Sequence, residues 1–353
     1  MRSRRRRDGS IFAQILEECG RQVALAEGGD DDDDVLARGL RARGHLQRRP
    51  DRGSRRDPDE DAVLRPDGAS RRDGVGEFDV DDLVDDPLIE AAEQSGELQP
   101  GGTIVESTSG NTGIALALIG AARGYKVVLT MPASMSKERR ALLKAYGAEL
   151  VLTDPYKGMT EAVETAQRIA AERPGAVLAR QFEHEANAAI HRRTTAEEIW
   201  RDTDGHVDVF VAGSGTGGTV TGVGQVLKER NPDVKVVLVE PKDSPVLTEG
   251  RAGGHRIQGI GPNFVPAVLD RSVVDEVFDA EFDDAIRVAR ELATREGILA
   301  GMSAGAAVSA ALEIAARPES AGKRFVVIVP DSGERYLSTA LFEHLRDPEA
   351  GAK

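Results

Sequence analysis

The stretch TIVESTSGNTGIALAL (residues 103–118) contains a strand pattern, a polar loop and the start of a helix pattern. The β-branched run at 103–105 is typical of a strand, and the apolar run at 114–118 is typical of a helix. Between them, STSGNTG (107–113) interleaves hydroxyl and amide side chains with glycines. Packing alone needs only one or two small residues at such a turn. Hydroxyl groups beside the N–H groups of a helix start suit an anion, so the loop is predicted to bind a carboxylate.

The candidate ligand groups in this loop are the hydroxyls of Thr108, Ser109 and Thr112 and the amide of Asn111. An amide offers both a donor and an acceptor, which suits a phenolic oxygen.

Strand-like and helix-like segments alternate from Pro87 to the run RFVVIVPDSGERY at 324–336. This alternation predicts an α/β fold with parallel sheets and helices on both faces. Ligands of such folds bind at the carboxyl ends of the strands. Both polar loops of the chain, 107–113 and 213–219, are expected at such ends.

The second loop, GSGTGGT (213–219), follows the strand pattern VDVFVA and opens a helix pattern. Its glycines allow backbone N–H groups to converge on a phosphate at the positive end of a helix dipole, and Thr216 and Thr219 add hydroxyl donors.

The same loop also spells G-x-G-x-x-G with Gly213, Gly215 and Gly218, and Glu240 closes the next strand. That pattern also fits an NAD-binding oxidoreductase, an alternative that stays open here. The NAD alternative is weakened because the G-x-G-x-x-G pattern usually lies in the first βα unit of its domain, whereas several strand and helix patterns precede it here.

Composition limits the partners of the 353-residue chain. A net charge of -14 and a pI near 5.1 argue against binding to nucleic acid or to anionic membranes. Cys19 is the single cysteine, so a reducing, cytoplasmic location is expected. No apolar run is long enough to span a membrane, and the histidines show no metal-ligand spacing.

Residues 1–86 differ from the rest of the chain. The part before Thr103 holds 17 arginines and no lysine, and the segment is rich in Arg, Asp, Gly and Pro. Too few apolar residues are present to offset the entropy of ordering, so disorder is expected. A competing hypothesis is translation of a GC-rich gene in a wrong frame or from a wrong start. Lysine and asparagine, whose codons begin with AA, are both absent before Thr103.

Six motifs together resemble one enzyme family, the cysteine synthases (O-acetylserine sulfhydrylases), which are pyridoxal-phosphate (PLP) enzymes of fold type II. They are STSGNTG, GSGTGGT, QFEHEANAAIHRRTTAEEIW (181–200), HRIQGIGPNFVP (255–266), GILAGMSAGAAV (297–308) and PDSGERYLST (330–339). The resemblance runs from about Pro87 to about Leu345. It implies two αβα sandwich domains like those of the tryptophan synthase β subunit. The smaller, substrate-binding domain would span 87–185, the larger, PLP-phosphate-binding domain 186–345, and a tail 346–353.

The resemblance also implies residue roles. The phosphate of PLP would be held by Gly215, Thr216, Gly217, Gly218 and Thr219. Asn111 would bind the ring hydroxyl and Ser303 the pyridine nitrogen. The substrate carboxylate would be held by Thr108, Ser109, Thr112 and Gln181. The implied reaction is β-replacement of O-acetyl-L-serine with sulfide, which gives L-cysteine and acetate, in a homodimer. A cystathionine β-synthase-like lyase, which uses serine and homocysteine, is an alternative.

The chain lacks one catalytic side chain of the family, the lysine that holds PLP. PLP enzymes hold the cofactor as a Schiff base on a lysine, which then removes the α-proton. The family's lysine motif should lie about thirty residues before STSGNTG, where this chain reads GASRRDGVGEFDVDDLVDDP (68–87), and its first lysine is Lys126. Arginine stays protonated and cannot substitute. We therefore expect no turnover, no catalytic residue in the chain as written, and only weak PLP binding. A second hypothesis is a non-catalytic module for the C-terminal tail of serine acetyltransferase, whose carboxylate needs no lysine.

Overall fold

The structure, a computed structural model, describes residues 23–27, 86–108 and 110–345. Their strands form two sheets in which every neighbouring pair is parallel. The five-stranded sheet has the order β1 (Val23–Glu27), β9 (Phe325–Val329), β6 (Val209–Gly213), β7 (Lys235–Pro241), β8 (Glu276–Ala280). The four-stranded sheet has the order β4 (Glu149–Thr153), β3 (Lys126–Pro132), β2 (Thr103–Ser107), β5 (Ala176–Leu178). The predicted α/β class with parallel sheets is confirmed.

Ten α-helices connect the strands of the described residues. They are α1 (Pro87–Gln94), α2 (Asn111–Arg123), α3 (Lys137–Ala145), α4 (Gly158–Glu172), α5 (Ala186–Arg193), α6 (Thr195–Asp202), α7 (Gly218–Arg230), α8 (Val246–Glu249), α9 (Phe282–Glu291) and α10 (Met302–Ala315). A π-helical turn, Leu292–Glu296, extends α9. None of the described helices is long and apolar enough to cross a membrane.

The five-stranded sheet is covered on both faces because successive residues of a buried strand point to opposite sides. In β6, Val209 and Val211 pack with α9 and α10, whereas Phe210 and Ala212 pack with α6 and α7. Small residues dominate α10, MSAGAAVSAALEIA, and eleven of its fourteen residues are buried. The helix can therefore lie close against the sheet.

Both polar loops follow the carboxyl end of a central strand. The loop at 107–113 joins β2 to α2, and the loop at 213–219 joins β6 to α7. Of the predicted low-complexity segment 1–86, only Val23–Glu27 and the α1 cap Asp86 are described. The rest of that segment and the tail 346–353 lie outside the described residues. We keep the division into domains 87–185 and 186–345 as a proposal.

Candidate active site

A cavity of about 590 Å³ opens between the two polar loops. Nine of the predicted site residues line it: Thr108, Asn111, Thr112, Gln181, Gly215, Thr216, Gly217, Thr219 and Ser303. Gly218 does not line this cavity, and Ser109 lies outside the described residues. The two loops, about a hundred residues apart in the chain, thus face one space.

The first loop is shaped by the buried side chain of Thr108. Its Oγ1 accepts a hydrogen bond from the Gly110 N–H at 3.1 Å, and its methyl group packs on Gly113. A Cβ atom at Gly113 would lie 2.5 Å from Thr108 Cγ2, so the first turn of α2 requires glycine there. Thr108 therefore shapes the loop, whereas Thr112, half-buried on α2, lines the cavity.

Gln181 faces this loop from the end of β5. Its Nε2 donates to the Ser107 carbonyl at 2.5 Å, and its backbone N–H donates to Glu106 Oε2 at 3.0 Å. The residue before it, Arg180, has φ +60°, a left-handed backbone that side chains rarely adopt. Gln181 is thus held by hydrogen bonds to the strand that carries the loop.

The second loop, 213–219, is shaped by a left-handed backbone conformation and by close contacts around its glycines. Gly217 has φ +89°, and a Cβ on it would lie 2.8 Å from Leu269 Cβ. A Cβ on Gly218 would lie 1.9 Å from Asn187 Oδ1. Gly217 therefore requires glycine, and a Cβ at Gly218 would displace the Asn187 amide, which donates to Thr216 Oγ1. The thirteen-residue helix α7 begins at Gly218, so its N-terminal N–H groups and dipole face an anion bound at this loop.

Two side chains that the sequence did not single out hold the hydroxyl groups of this loop. Asn187 Nδ2 donates to Thr216 Oγ1 at 3.0 Å. His191 Nε2 lies 3.2 Å from Thr219 Oγ1, and its Nδ1 lies 2.8 Å from Thr195 Oγ1. Burial lowers the pKa of His191 to about 4, so the imidazole is neutral at pH 7. From α5, His191 thus supports the loop.

A buried polar cluster lies at the Asn111 end of the cavity. Asn111 Nδ2 donates to the Pro330 carbonyl at 2.9 Å, and Arg139 Nη2 approaches Asn111 Oδ1 at 3.5 Å. Arg139 also forms a buried ion pair with Asp331 at 3.4 Å and a hydrogen bond with the Tyr336 hydroxyl at 3.0 Å. Burial raises the pKa of Asp331, although Arg139 opposes this rise. The cluster fixes the orientation of the Asn111 amide.

Ser303 is the second residue of α10 and is buried. A Cβ atom on Gly259, which has φ +100°, would lie 3.3 Å from Ser303 Oγ. The hydroxyl therefore points toward the loop 255–261, which lines the same cavity. On that loop, Gln258 Oε1 is buried without a hydrogen-bond partner among the described residues. An unpaired buried acceptor is costly, so it suits a ligand that donates a hydrogen bond.

Lys157 is the one lysine among the described residues that line the cavity. Its side chain is 62% exposed, and its Nζ bonds Glu161 Oε1 at 2.9 Å. The hydrogen bond to Glu161 raises the pKa of Lys157, which favours the protonated amine. A charged, solvated amine is neither a nucleophile nor a base at neutral pH. Within the described residues, no group of three His, Cys, Asp or Glu side chains could hold a metal ion.

Comparison with known proteins matches residues 85–331 to the family described as "Pyridoxal-phosphate dependent enzyme". The chain belongs to this family. Cysteine synthase A of Escherichia coli (strain K12) is 53% identical over 277 residues, covering 76% of this chain and 86% of the relative. The crystal structure of a cysteine synthase from Entamoeba histolytica is 47% identical with a TM-score of 0.69, covering 74% of this chain and 77% of that one.

A third relative, O-ureido-L-serine synthase, was solved as a lysine-to-alanine mutant with O-ureido-L-serine bound. It is 47% identical with a TM-score of 0.71 and covers 74% of this chain and 81% of that one. The resemblance to cysteine synthases is confirmed, and with it the PLP-dependent, fold-type-II class.

The described residues of this PLP-family chain fit the cofactor except for its covalent anchor. The start of the helix α7 at the glycine-rich loop suits a phosphate, and the unpaired Gln258 oxygen suits a hydrogen-bond donor of the ligand. The NAD alternative needs Glu240 for a ribose. That carboxylate is buried and already accepts hydrogen bonds from Leu247 N, Thr248 N and Thr248 Oγ1. The structure therefore favours PLP over a dinucleotide.

Proposed function

We propose that the cavity binds PLP and the amino-acid substrate of a cysteine synthase, O-acetyl-L-serine, side by side. The observation that carries the proposal is the shared cavity: the predicted carboxylate loop, the predicted phosphate loop and Ser303 all line it. The names of the cysteine synthase relatives support the substrate.

Each group has a proposed task. The phosphate is held at 215–219 by backbone N–H groups and by the hydroxyls of Thr216 and Thr219. In the structure the Gly215 N–H donates to the Gly213 carbonyl and the Gly218 N–H to Thr216 Oγ1, so these two donors must turn from the loop to the phosphate. The carboxylate is held at the 107–113 loop by Thr108, Ser109 and Thr112, together with Gln181. Asn111, oriented by Arg139 and Pro330, faces the ring hydroxyl.

PLP, when bound, supplies an electron sink that allows a group to leave the β-carbon of the amino acid. A neutral serine hydroxyl at the pyridine nitrogen, the task proposed for Ser303, keeps that nitrogen largely unprotonated. A weaker sink of this kind suits β-replacement.

The chain as written is proposed to bind without turning over. A base must remove the α-proton of the substrate, and Lys157, the cavity lysine, is exposed and paired with Glu161. No lysine precedes Lys126 in the sequence. The described residues thus offer the binding groups of the reaction without its amine.

The test is a turnover assay paired with a binding assay. The purified chain is incubated with PLP, O-acetyl-L-serine and sulfide, with Escherichia coli cysteine synthase A as the active control. We expect the chain to bind PLP in equilibrium dialysis and to form no cysteine above the protein-free rate. Cysteine formation at a rate near that of the control would overturn the proposed inactivity. Failure to bind PLP would overturn the proposed site.

A second proposal is a binding role for the carboxylate loop alone. The loop and Gln181 need no lysine to hold a carboxylate, so the C-terminal tail of serine acetyltransferase is a candidate ligand. A tail peptide should bind, and the same peptide with an amidated C-terminus should not. Equal binding of the two peptides would contradict this role.

Assembly, location and nucleophile belong to the same proposal. We propose a homodimer in the cytoplasm with sulfide as the nucleophile of the family reaction. Sedimentation of the purified chain tests the homodimer, and a monomer would contradict it.

A further inference from the structure

Two buried glutamates occupy equivalent places in the two sheets. Glu106 is the penultimate residue of β2, and Glu240 is the penultimate residue of β7. Each is 1% exposed, and each accepts three hydrogen bonds, two from backbone N–H groups and one from a hydroxyl. They differ in what they hold: the hydrogen bonds that Glu240 accepts come from Leu247 and Thr248 of α8, and its carboxyl group also lies beside that of Asp279.

Glu106 joins two segments that follow different strands. Its Oε1 accepts from the Ser107 N–H at 2.7 Å and from Ser107 Oγ at 3.2 Å. Its Oε2 accepts from the Gln181 N–H at 3.0 Å. The Gln181 side chain closes the link by donating to the Ser107 carbonyl. The carboxylate therefore ties the start of the loop 107–113 to Gln181 on the facing wall.

The carboxylate forms no ion pair with any described residue and borders a second, separate cavity of about 180 Å³. From α4, the uncharged Val163 and Gln167 line that cavity, and the exposed Arg180 and Glu183 line it from the segment after β5. Burial raises the pKa of Glu106 to about 7, and Asp86 adds a smaller rise. Its charge thus changes near neutral pH.

We propose that Glu106 is a positioning residue of the amino-acid site: it holds Ser107 and Gln181 in register, so that the loop and the glutamine face the substrate carboxylate together. The proposal rests on the proposed amino-acid ligand. The ionised form accepts all three hydrogen bonds. The protonated form turns one oxygen into a donor, so at least one of the two segments loses its anchor.

The first test uses the full chain without a ligand. Amide hydrogen exchange at Ser107 and Gln181 is followed from pH 6 to pH 8 and corrected for the intrinsic rate. We expect protection to rise about tenfold through pH 7 in the wild-type chain, since hydrogen bonds to charged groups are the stronger ones. Glu106→Gln should show no such step, and Glu240→Gln should behave as the wild type.

The second test measures L-serine binding at pH 8 to the chain preincubated with PLP. Glu106→Gln should bind about tenfold more weakly, the loss expected when one hydrogen bond to a charged group is broken. Glu240→Gln loses the same kind of buried contacts elsewhere and should bind as the wild type does. Thermal unfolding of both variants separates lost positioning from lost stability.

The outcomes are distinct. The role of Glu106 would be overturned if Glu106→Gln binds L-serine as tightly as the wild type and the wild-type chain shows no pH step in amide protection. An equal loss of L-serine affinity in Glu106→Gln and Glu240→Gln would also overturn it. If the wild-type chain binds no amino acid, the proposed function fails. In that case the protection step in the wild-type chain still decides whether Glu106 anchors the two segments.

Discussion

The two polar loops are built in different ways although both follow a central strand of a parallel sheet. The loop 107–113 offers side chains, and a buried carboxylate, Glu106, anchors it. The loop 213–219 offers backbone N–H groups, and its glycines leave no room for a Cβ at Gly217 or Gly218. A carboxylate can be held by a few hydroxyl and amide groups, whereas a phosphate needs several N–H groups at close range.

The largest difference is expected between alanine substitutions of one glycine in each loop, Gly218 and Gly110. A Cβ at Gly218 would lie 1.9 Å from Asn187 Oδ1, whereas at Gly110, with φ −123°, no atom lies within 4 Å. Gly218→Ala should lower the unfolding free energy by about 3 kcal/mol through overpacking and reduce PLP affinity more than 100-fold. Gly110→Ala should leave stability unchanged. Thermal unfolding and equilibrium dialysis measure both effects; similar losses in the two variants would contradict the contrast.

The second prediction concerns the buried histidine of the phosphate loop. The pKa of His191 falls from 6.5 to about 4 on folding, so the unfolded chain binds more protons between these values. The contribution of His191 is present above pH 6.5 and is lost as pH falls toward 4, by up to about 3 kcal/mol. Glu106 has the opposite effect on global stability: burial holds its pKa at about 7 in the folded chain against 4.5 in the unfolded chain, so its contribution is lost as pH increases through 7. Local exchange at Ser107 and Gln181 differs, because there the carboxylate stays buried and only its hydrogen bonds break.

Urea unfolding of wild type and His191→Gln between pH 4 and pH 7 isolates the histidine. The difference in unfolding free energy between the two should grow as pH increases from 4 to 6.5. A constant difference would show that His191 titrates normally.

The third prediction separates the ligands of the two loops. Thr112→Val removes a half-buried hydroxyl at the cavity wall while keeping the shape of the side chain. L-serine affinity should fall about tenfold, and PLP affinity should not change. Thr216→Val is the matched control and should weaken PLP binding instead. Calorimetric titration with each ligand distinguishes them, and the same loss for both ligands would mean that the loops do not act separately.

The smallest expected effect is at Arg180. Its φ of +60° costs a non-glycine residue about 1 kcal/mol, and its side chain is exposed. Arg180→Gly should change the unfolding free energy by less than about 1 kcal/mol, because relief of strain is offset by the freedom that glycine gains when unfolded. Amino-acid affinity should be unchanged if Gln181 is held by Glu106 and not by this backbone. A large loss of affinity would place the anchor at Arg180.

Most of the fold and the lining of the cavity were predictable because local signals agree. The helix pattern at 114–118 lies in the helix Asn111–Arg123, which ends at the left-handed Gly124, and the strand pattern at 103–105 lies in β2. Small-residue loops between a strand and a helix have a strong local pattern, so both loops were found.

The supports of the loops were not predictable. Asn187 and His191 act on residues 28 or more positions away, and neither has a sequence pattern of its own. Glu106 gave one overlooked signal, a charged residue at the end of an apolar strand. Its partner Gln181 lies 75 positions later, and only the pairing of β2 with β5 brings the two together.

We propose that this member of the PLP family keeps the binding groups of the site without the lysine. The most direct measurement is reduction of the PLP-treated chain with borohydride followed by peptide mapping of every lysine. We expect slow, substoichiometric labelling spread over exposed lysines such as Lys157. One lysine labelled stoichiometrically, with an absorbance band that reduction removes, would show that the chain does carry a Schiff-base lysine.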